Sequence, residues 1–311
     1  FSYTYEHLLP RFKVDNMFGM HVAGIFKLNK ETLGGFGLNV NILHMPRNDS
    51  ISGPNLETTI GLSHSLNLRR WDIKRHNFGY SIKYLQNRYD SYIDTSYQET
   101  YYSYLDSTNV DTKIDTVSES IGRSFAIDIG YIFDISTHFH VGLNLSNMGP
   151  SIILSNTDVS KPLPFTCNLA FSYTDSFSLK NSKILTLNSE IRLEREIAKT
   201  YEDKKPDPFY KALYTDFKDK TFKENMKEVN FHLGVEVKID EIAAARIGYL
   251  HDELGLRREF HWGIGTNFLR QVGIDFYMIV SPETDNNTGA RKNQWGLTLS
   301  SYRIFNWIRN E

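Results

Sequence analysis

The side chains that most often carry chemistry are present in this sequence, but they do not form the pattern of a known catalytic site. The chain has no glycine-rich phosphate loop, no His-Glu-x-x-His motif and no Gly-x-Ser-x-Gly nucleophile elbow. The acidic residues Asp106, Asp111 and Asp115 do not follow the spacing of an EF-hand calcium loop. We therefore expect no enzymatic activity and no cofactor.

Two groups of charged or metal-binding side chains remain as candidates. His138 and His140 form a His-x-His pair on a predicted strand, close to a turn, and we favour a structural role for them over a metal site. Glu190, Arg192 and Glu194 alternate along another predicted strand, so their side chains share one face. We interpret these three as an ion-pair ladder inside a barrel and not as a catalytic set.

The strongest pattern is the alternation of apolar and polar residues, which predicts β-strands. In 229–239 the odd-numbered residues are apolar, whereas the even-numbered residues are Asn, His, Gly, Glu and Lys. The same alternation occurs in 139–145, 260–268 and 272–280. A soluble β-sandwich alternates in the same way, so the choice between sandwich and barrel depends on other features.

Strand length and the placement of charge both favour a barrel that spans a membrane. Many alternating segments reach about ten residues, which is the length of a tilted strand crossing a bilayer. Charged residues fall on the polar phase, and an Arg or Lys facing lipid at mid-depth would cost roughly 2–4 kcal/mol. The residues predicted to line the lumen are Asp128, Glu190, Arg192, Glu236, Arg246 and Asp275.

The connections between strands also alternate in length. About fourteen strands are predicted, near 1–9, 17–29, 33–45, 57–69, 75–88, 122–134, 138–147, 164–174, 184–195, 228–239, 242–251, 257–269, 272–281 and 294–303. Even-numbered connections include tight turns, and odd-numbered ones include long polar stretches such as 89–121 and 196–227. Short periplasmic turns and long extracellular loops are typical of outer-membrane barrels. We predict an all-β fold for 1–311, a single transmembrane antiparallel β-barrel of about fourteen strands in the outer membrane.

The composition agrees with this fold class. Aromatic residues make up 14% of the chain, with 18 Tyr and 20 Phe, which suits the two aromatic girdles of such a barrel. A net charge of −2 gives no support for binding nucleic acid. The single cysteine, Cys167, cannot form an internal disulfide. No apolar run is long enough for a spanning helix.

A barrel of about fourteen strands is wider than one that side chains fill and narrower than an open porin. We therefore expect something to occlude the lumen. A segment upstream of Phe1 is one candidate for this plug. The alternative is a narrow path lined by the inward polar residues.

Two connections, 89–119 and 197–226, are rich in aromatic residues that suit a binding surface. In 197–226 the apolar residues recur at near-helical spacing and predict a short amphipathic helix, which either caps the barrel or docks on a partner. The tail 302–309 mixes aromatic residues with Arg, as membrane-interface anchors do. The candidate partner-binding residues are Tyr101, Tyr102, Tyr104, Phe165, Phe209, Tyr210, Tyr214 and Phe217.

Short motifs along most of the chain resemble those of the PorV/PorQ family. The resembling segments are Phe1–Tyr5 with Leu8–Pro10, Asn144–Pro150 with Leu163–Pro164, Lys227–Phe231 with Gly234–Glu236, Ala244–His251, and Gly263–Gly265. The resemblance implies a barrel related to the FadL channels and a role in type IX secretion of Bacteroidota. The family's N-terminal plug region has no counterpart in this sequence.

The implied partners follow from that family. They are a translocon barrel of the SprA/Sov kind, secreted proteins with C-terminal signal domains, the surface attachment complex, membrane lipids and lipopolysaccharide, with no nucleic acid. The leading hypothesis is a protein that docks on the translocon and shuttles secreted proteins. The alternative is a FadL-like channel for hydrophobic small molecules, and a third reading is a structural or adhesive barrel.

Overall fold

The alternating segments form β-strands that assemble into a closed antiparallel barrel. A computed structural model describes residues 2–7, 18–27, 34–44, 56–67, 75–89, 120–154, 160–178, 184–199, 206–218, 220–240, 242–254, 257–268, 272–284 and 291–301. The first strands are β1 Ser2–His7, β2 Phe18–Lys27, β3 Gly35–His44, β4 Leu56–Asn67, β5 His76–Tyr89, β6 Ser120–Asp134, β7 Phe139–Met148, β8 Ile152–Leu154 and β9 Ser160–Lys161. The others are β10 Phe165–Ser178, β11 Ile184–Ile197, β12 Val229–Ile239, β13 Ala243–Asp252, β14 Arg257–Phe268, β15 Val272–Thr284 and β16 Arg291–Ser301.

Hydrogen-bonded pairing runs without a break around the barrel. Consecutive strands pair from β1 to β7, β7 pairs with β10, and pairing continues in order from β10 to β16. The ring closes where β1 pairs with β16, with Ser2 opposite Ser300. Fourteen strands of the described chain make up the wall, which confirms the predicted fold class. The short strands β8 and β9 form a hairpin that extends along β6, with Leu154 opposite Gly122.

The period of two separates the wall into an outward and an inward face. One cross-strand row holds Ile247, Trp262, Met278 and Trp295. Residues of this phase form an exposed band around the wall, here called the apolar belt: Leu38, Leu62, Ile82, Ile127, Leu143, Phe171, Ile191, Leu233, Ile247, Ile264 and Ile274. A continuous exposed apolar band of this extent matches the lipid-facing surface of a membrane barrel. The opposite phase is polar and faces the lumen.

The two ends of the barrel differ in their connections. At the short-turn end the strands are joined by 28–34, 68–75, 135–138, 179–183, 240–242 and 269–271, and the first and last described residues, Ser2 and Ser301, lie at the same end. The long-connection end carries 8–17, 45–55, 90–119, 149–164, 198–228, 253–256 and 285–290. The predicted alternation holds for most connections, but 253–256 and 285–290 at the long-connection end are shorter than 68–75 at the short-turn end.

Two helices lie within the connection 198–228. Helix α1 spans Phe209–Lys218 and helix α2 spans Phe222–Lys227. Thr221 begins α2 with a capping box, in which the backbone N–H of Glu224 donates to the Thr221 hydroxyl and the Glu224 carboxylate accepts from the Thr221 N–H. Among the described residues, no helix combines the length and the hydropathy needed to cross a membrane.

Candidate functional site

The lumen contains a cavity of about 470 Å³ between β5–β7 and β10–β11. Glycines line one side of it, and Glu190, Arg192 and Glu194 line the other. A second hollow of about 380 Å³ shares Ser65, Gly79, Gly130 and Asn144 with the first. The two spaces therefore adjoin and form one path along the inward face.

The glycine side of the cavity is a flat stretch of backbone, here called the glycine wall (Gly79, Gly130 and Gly142). Gly79 lies directly opposite Gly130 in the β5–β6 pair, and Gly142 lies opposite Ile132 in the next pair. A Cβ atom built on Gly79, Gly130 or Gly142 would lie 3.5, 3.9 or 3.8 Å from its nearest neighbour. Packing therefore does not require glycine here, and what the missing side chains provide is a flat surface and open space.

The charged residues of the cavity form fewer ion pairs with one another than the sequence predicted. Glu190, Arg192 and Glu194 all lie on the inward phase, but no ion pair joins these three described residues, because the Arg192 guanidinium points toward the neighbouring strand β12. Arg192 Nη2 instead lies 3.2 Å from His232 Nδ1, and His232 Nε2 lies 3.9 Å from Glu194 Oε2. The expectation that Glu190, Arg192 and Glu194 form a ladder among themselves is wrong.

Two polar atoms in residues that line this cavity have no hydrogen-bond partner within the described protein. They are the Nε of Arg192, a donor, and the Oδ1 of Asn168, an acceptor, and both are buried. Buried polar groups without partners are costly, so such atoms ordinarily bind water or a ligand. Both residues line the cavity, so its flat apolar wall lies opposite two polar side chains that are not fully hydrogen-bonded within the described protein.

An ion-pair ladder does exist farther around the lumen. Arg246 Nε lies 2.5 Å from Glu236 Oε2, and Arg246 Nη1 lies 2.5 Å from Asp275 Oδ1. Lys238 and Asn188 complete the set by binding Glu236 Oε1, each at 2.9 Å. These contacts tie β11, β12, β13 and β15 together on the inward face.

At the long-connection end the inward face becomes apolar. Leu85, Ala126, Ile152 and Leu163 pack together there, here called the mouth cluster. The hydroxyl of Ser124 donates to the carbonyl of Pro150 at 2.7 Å and holds the start of the segment 149–164 against the same face. Because Ile152 and Leu163 both come from this connection, it narrows the mouth of the lumen within the described part of the chain.

Asn147 holds that connection in place. Its backbone lies in the left-handed region, with φ of 62°, and its N–H donates to Asp128 Oδ1 at 2.8 Å. Its side-chain amide donates to the carbonyl of Pro164 at 2.9 Å, while Lys83 Nζ lies 2.8 Å from Asp128 Oδ1. One asparagine thus joins both ends of the connection to a charged pair in the lumen wall.

The helix predicted in 197–226 is present, but it lies outside the barrel. Helix α1 packs through Phe209 and Ala212 onto Phe165 and Ile197. Leu145, Met148 and Cys167 border the same contact. Phe165 and Ile197 are register partners on the outward phase of the wall. Capping of the lumen by this helix is therefore wrong, because its buried side covers the outer wall and not the mouth.

Arg195 anchors both helices to the wall. It lies on the outward phase of β11 and is 7% exposed. Its Nη2 donates to Asp216 Oδ2 at 2.8 Å, to Asn225 Oδ1 at 2.8 Å and to Glu228 Oε2 at 2.6 Å. The ring centroid of Phe217 lies 3.9 Å from the guanidinium carbon. One side chain thereby links the barrel to α1, to α2 and to the residue preceding β12.

The predicted site residues fall in several places. The six lumen residues, Asp128, Glu190, Arg192, Glu236, Arg246 and Asp275, all lie on the inward phase. Phe209, Tyr210, Tyr214 and Phe217 lie in α1, whereas Tyr101, Tyr102 and Tyr104, like the tail 302–309, fall outside the described residues. Phe165 is 1% exposed beneath α1, so the proposal that it contacts a partner needs correction.

The histidine pair has structural partners in the wall. His140 Nδ1 lies 2.7 Å from Asp134 Oδ1, and His138 Nε2 lies 3.6 Å from Asp175 Oδ1. The described residues contain no group of three ligands that could hold a metal ion. Sequence reasoning missed Arg195, although a charge on an otherwise apolar phase could have indicated it.

Comparison with known proteins adds little beyond the fold. The chain matches no known family and no curated protein at a significant level. Similar solved structures include the toluene transporter TbuX of Ralstonia pickettii, with 9% identity over 96% of this chain and 88% of that chain and a TM-score of 0.48. The toluene transporter TodX of Pseudomonas putida has 10% identity over 96% and 87% of the two chains and a TM-score of 0.43. The monoaromatic hydrocarbon channel CymD has 9% identity over 97% and 87% and a TM-score of 0.44.

Proposed function

We propose that this protein is an outer-membrane channel that binds and passes small, mostly apolar molecules through its lumen. The long-connection end faces the cell exterior and the short-turn end faces the periplasm, as in barrels of this kind. The observation that carries the proposal is the cavity of about 470 Å³, with its flat glycine wall opposite buried polar groups. Pockets of this size that combine apolar surface with a few placed polar groups suit small organic ligands.

The shape and chemistry of the cavity favour a planar ligand with a small uncharged polar end. A ring lies flat on backbone that carries no side chains, which is the surface presented by Gly79, Gly130 and Gly142. A hydroxyl group suits Arg192 as its hydrogen-bond donor and Asn168 as its acceptor, because both residues line the cavity. An anionic end is disfavoured, because Glu190 and Glu194 lie beside Arg192. The substrate class is therefore phenol-like compounds and comparable small alcohols.

The mouth cluster supports entry of apolar solutes from the exterior. Leu85, Ala126, Ile152 and Leu163 give the outer end of the path an apolar lining. A molecule leaving lipid or an apolar phase meets this lining before the polar cavity below it. The order of the two surfaces suits a solute that loses water at the mouth and regains polar contacts deeper in the lumen.

Binding of 4-fluorophenol to the purified barrel in detergent, followed by ¹⁹F NMR line broadening, tests this proposal. Replacing the donor by Arg192→Met removes one charge-assisted hydrogen bond, so we expect affinity to fall about tenfold. Arg246→Met is the matched control, because Arg246 is an inward arginine that does not line the cavity. Equal binding by both variants, or no binding by the parent protein, would contradict the proposal.

A second candidate is the type IX secretion role implied by the PorV/PorQ resemblance. The observation that favours it is the set of exposed aromatic residues on α1, including Tyr210 and Tyr214. In this role the protein docks on a translocon barrel and binds secreted proteins through their C-terminal signal domains. Affinity purification from native outer membranes tests it, and recovery of a large translocon barrel that depends on Tyr210 and Tyr214 is the supporting outcome. Failure to recover such a barrel from native membranes counts against it.

A further inference from the structure

The helices α1 and α2 present an exposed apolar surface, here called the helical ledge (Tyr210, Leu213, Tyr214, Phe217, Phe222 and Met226). Tyr210 and Tyr214 are each 68% exposed and Phe222 is 81% exposed. The opposite side of α1, with Ala212 and Asp216, is buried against the wall. The ledge is therefore a surface that the described part of the chain leaves uncovered.

The position of the ledge makes it continuous with the apolar belt. Arg195, which anchors it, lies two residues along β11 from Leu193 and four from Ile191 of the belt. Beneath α1 the covered wall residues include Leu145, two residues along β7 from Leu143 of the belt. The ledge thus begins where the lipid-facing band ends, at the level of a membrane–water interface.

The carboxylates of the helices and their flanking residues have partners within the protein, whereas two lysines do not form ion pairs with the described residues. These carboxylates are held by the protein itself: Asp207 by Lys211, Asp216 and Glu228 by Arg195, and Glu224 by Thr221. Lys218 and Lys223 form no ion pair with the described residues, and Lys218 Nζ lies 5.9 Å from the centroid of the Tyr214 ring. The exposed side therefore combines aromatic rings with unpaired ammonium groups.

We propose that the helical ledge lies in the outer interface of the membrane, with its aromatic rings among the headgroups and its lysines on anionic phosphates. Tyrosine and phenylalanine beside lysine are the residues that anchor helices in this layer. Arg195 ties both helices to the wall through Asp216 and Asn225, so the barrel itself sets their depth. The ligand is the phosphate-bearing surface of a lipid bilayer and not a protein.

Spin-label accessibility in vesicles tests the depth of the ledge. In a Cys167→Ser background, Tyr214→Cys carries a nitroxide label in full-length barrel reconstituted in vesicles of phosphatidylcholine with phosphatidylglycerol. Ile247→Cys, in the apolar belt, is the lipid control, and Leu254→Cys, at an exposed position after β13, is the water control. We expect the label at 214 to contact oxygen more than that at 254 and a water-soluble nickel complex severalfold less.

The lysines provide the second measurement. Replacing Lys218 and Lys223 together by Gln should move the label at 214 toward water in anionic vesicles, and should change nothing in vesicles of phosphatidylcholine alone. Accessibility at 214 equal to that at 254 in lipid vesicles would overturn the proposal. Protection that is absent in lipid vesicles and present in native outer membranes would also overturn it, and would assign the ledge to a protein partner.

Discussion

Arg246 on β13 and Asp275 on β15 form an ion pair across the strand between them. The pair is possible because Gly265 of β14 lies beneath it on the inward face. A Cβ atom at Gly265 would lie 2.0 Å from Asp275 Oδ1 and 3.1 Å from Arg246 Nη1. The glycine therefore reserves the space in which two nonadjacent strands share a charge contact.

Gly265→Ala should break this pair without preventing barrel assembly. The added methyl displaces the Asp275 carboxylate, which is the end of a flexible side chain. Because Arg246 is partly exposed to the lumen, we expect a stability loss of only about 1 kcal/mol. The midpoint of urea unfolding in detergent measures it. Gly234→Ala is the control, since a Cβ there has no neighbour within 4 Å. Equal midpoints for the two variants would show that the pair contributes nothing.

Arg195→Met should release the helical ledge and leave the barrel closed. The substitution leaves the buried Asp216 with Lys220 as its remaining charged partner. The cost should therefore lie below the roughly 3–5 kcal/mol of a buried pair whose remaining charge is uncompensated. Limited proteolysis should then cleave within 206–228 at least tenfold faster. Lys227→Met, which removes an exposed pair with Glu253, should leave the cleavage rate unchanged. A barrel that fails to assemble would instead give Arg195 a role in folding.

The ledge should also loosen at both extremes of pH. Hydrogen bonds from the backbone and hydroxyl of Thr221 lower the pKa of Glu224, so its stabilisation is present above the ordinary value, about 4.3, and is lost as the pH falls through the lowered pKa. Burial alone would lower the pKa of Lys220, but its contacts with Asp216 and Glu228 raise it.

The contribution of Lys220 is therefore present below about 10.4 and is lost as the pH rises through the raised pKa. Proteolysis of 206–228 by proteases active in each range should be slowest between these limits. In Glu224→Gln the acid-side change should shrink, while the alkaline-side change should remain. An acid response that Glu224→Gln leaves unaltered would contradict the assigned cause.

Leu163→Ala should widen the mouth of the lumen. Leu163 is buried against Ala126 and Ile152, so shortening it leaves a gap in the mouth cluster. Efflux of small sugars from vesicles containing the purified barrel should become severalfold faster than with the parent protein. Leu254→Ala, at an exposed turn, is the control and should behave like the parent. Unchanged efflux from the Leu163 variant would mean that the constriction lies elsewhere.

The sequence allowed the strands and their faces to be predicted because period two survives in almost every segment. It did not allow the positions of the connections to be predicted, since these depend on contacts between distant residues. Asn147 adopts a left-handed conformation to bind Asp128 and Pro164, and no local pattern signals that geometry. A helix in 197–226 was predicted from its apolar spacing, but its placement outside the wall follows from Arg195. An arginine on the apolar phase near a strand end requires polar partners from another segment packed over it. The sequence therefore contained an indication that the connection after β11 packs on the outer wall.

The cavity residues were predicted only in part, because their grouping also depends on residues that are distant in the sequence. Charge marked Glu190 and Arg192 as inward residues, whereas Gly79, Gly130 and Gly142 carry no chemical signal of their own. Only the register shows that these glycines come from three strands and form one flat surface. These glycines matter because they have no side chains, and a single sequence does not show that three such residues lie side by side.

Uptake of a radiolabelled phenol by cells that express the barrel as their main outer-membrane channel tests the central claim most directly. The comparison is between Gly130→Leu, which fills the cavity, and Gly234→Leu. Gly234 is an inward glycine that does not line the cavity and has open space around it. With equal amounts of folded barrel in the membrane, we predict at least tenfold slower uptake for Gly130→Leu and near-parental uptake for Gly234→Leu. Equal uptake by the two variants would contradict passage through this cavity.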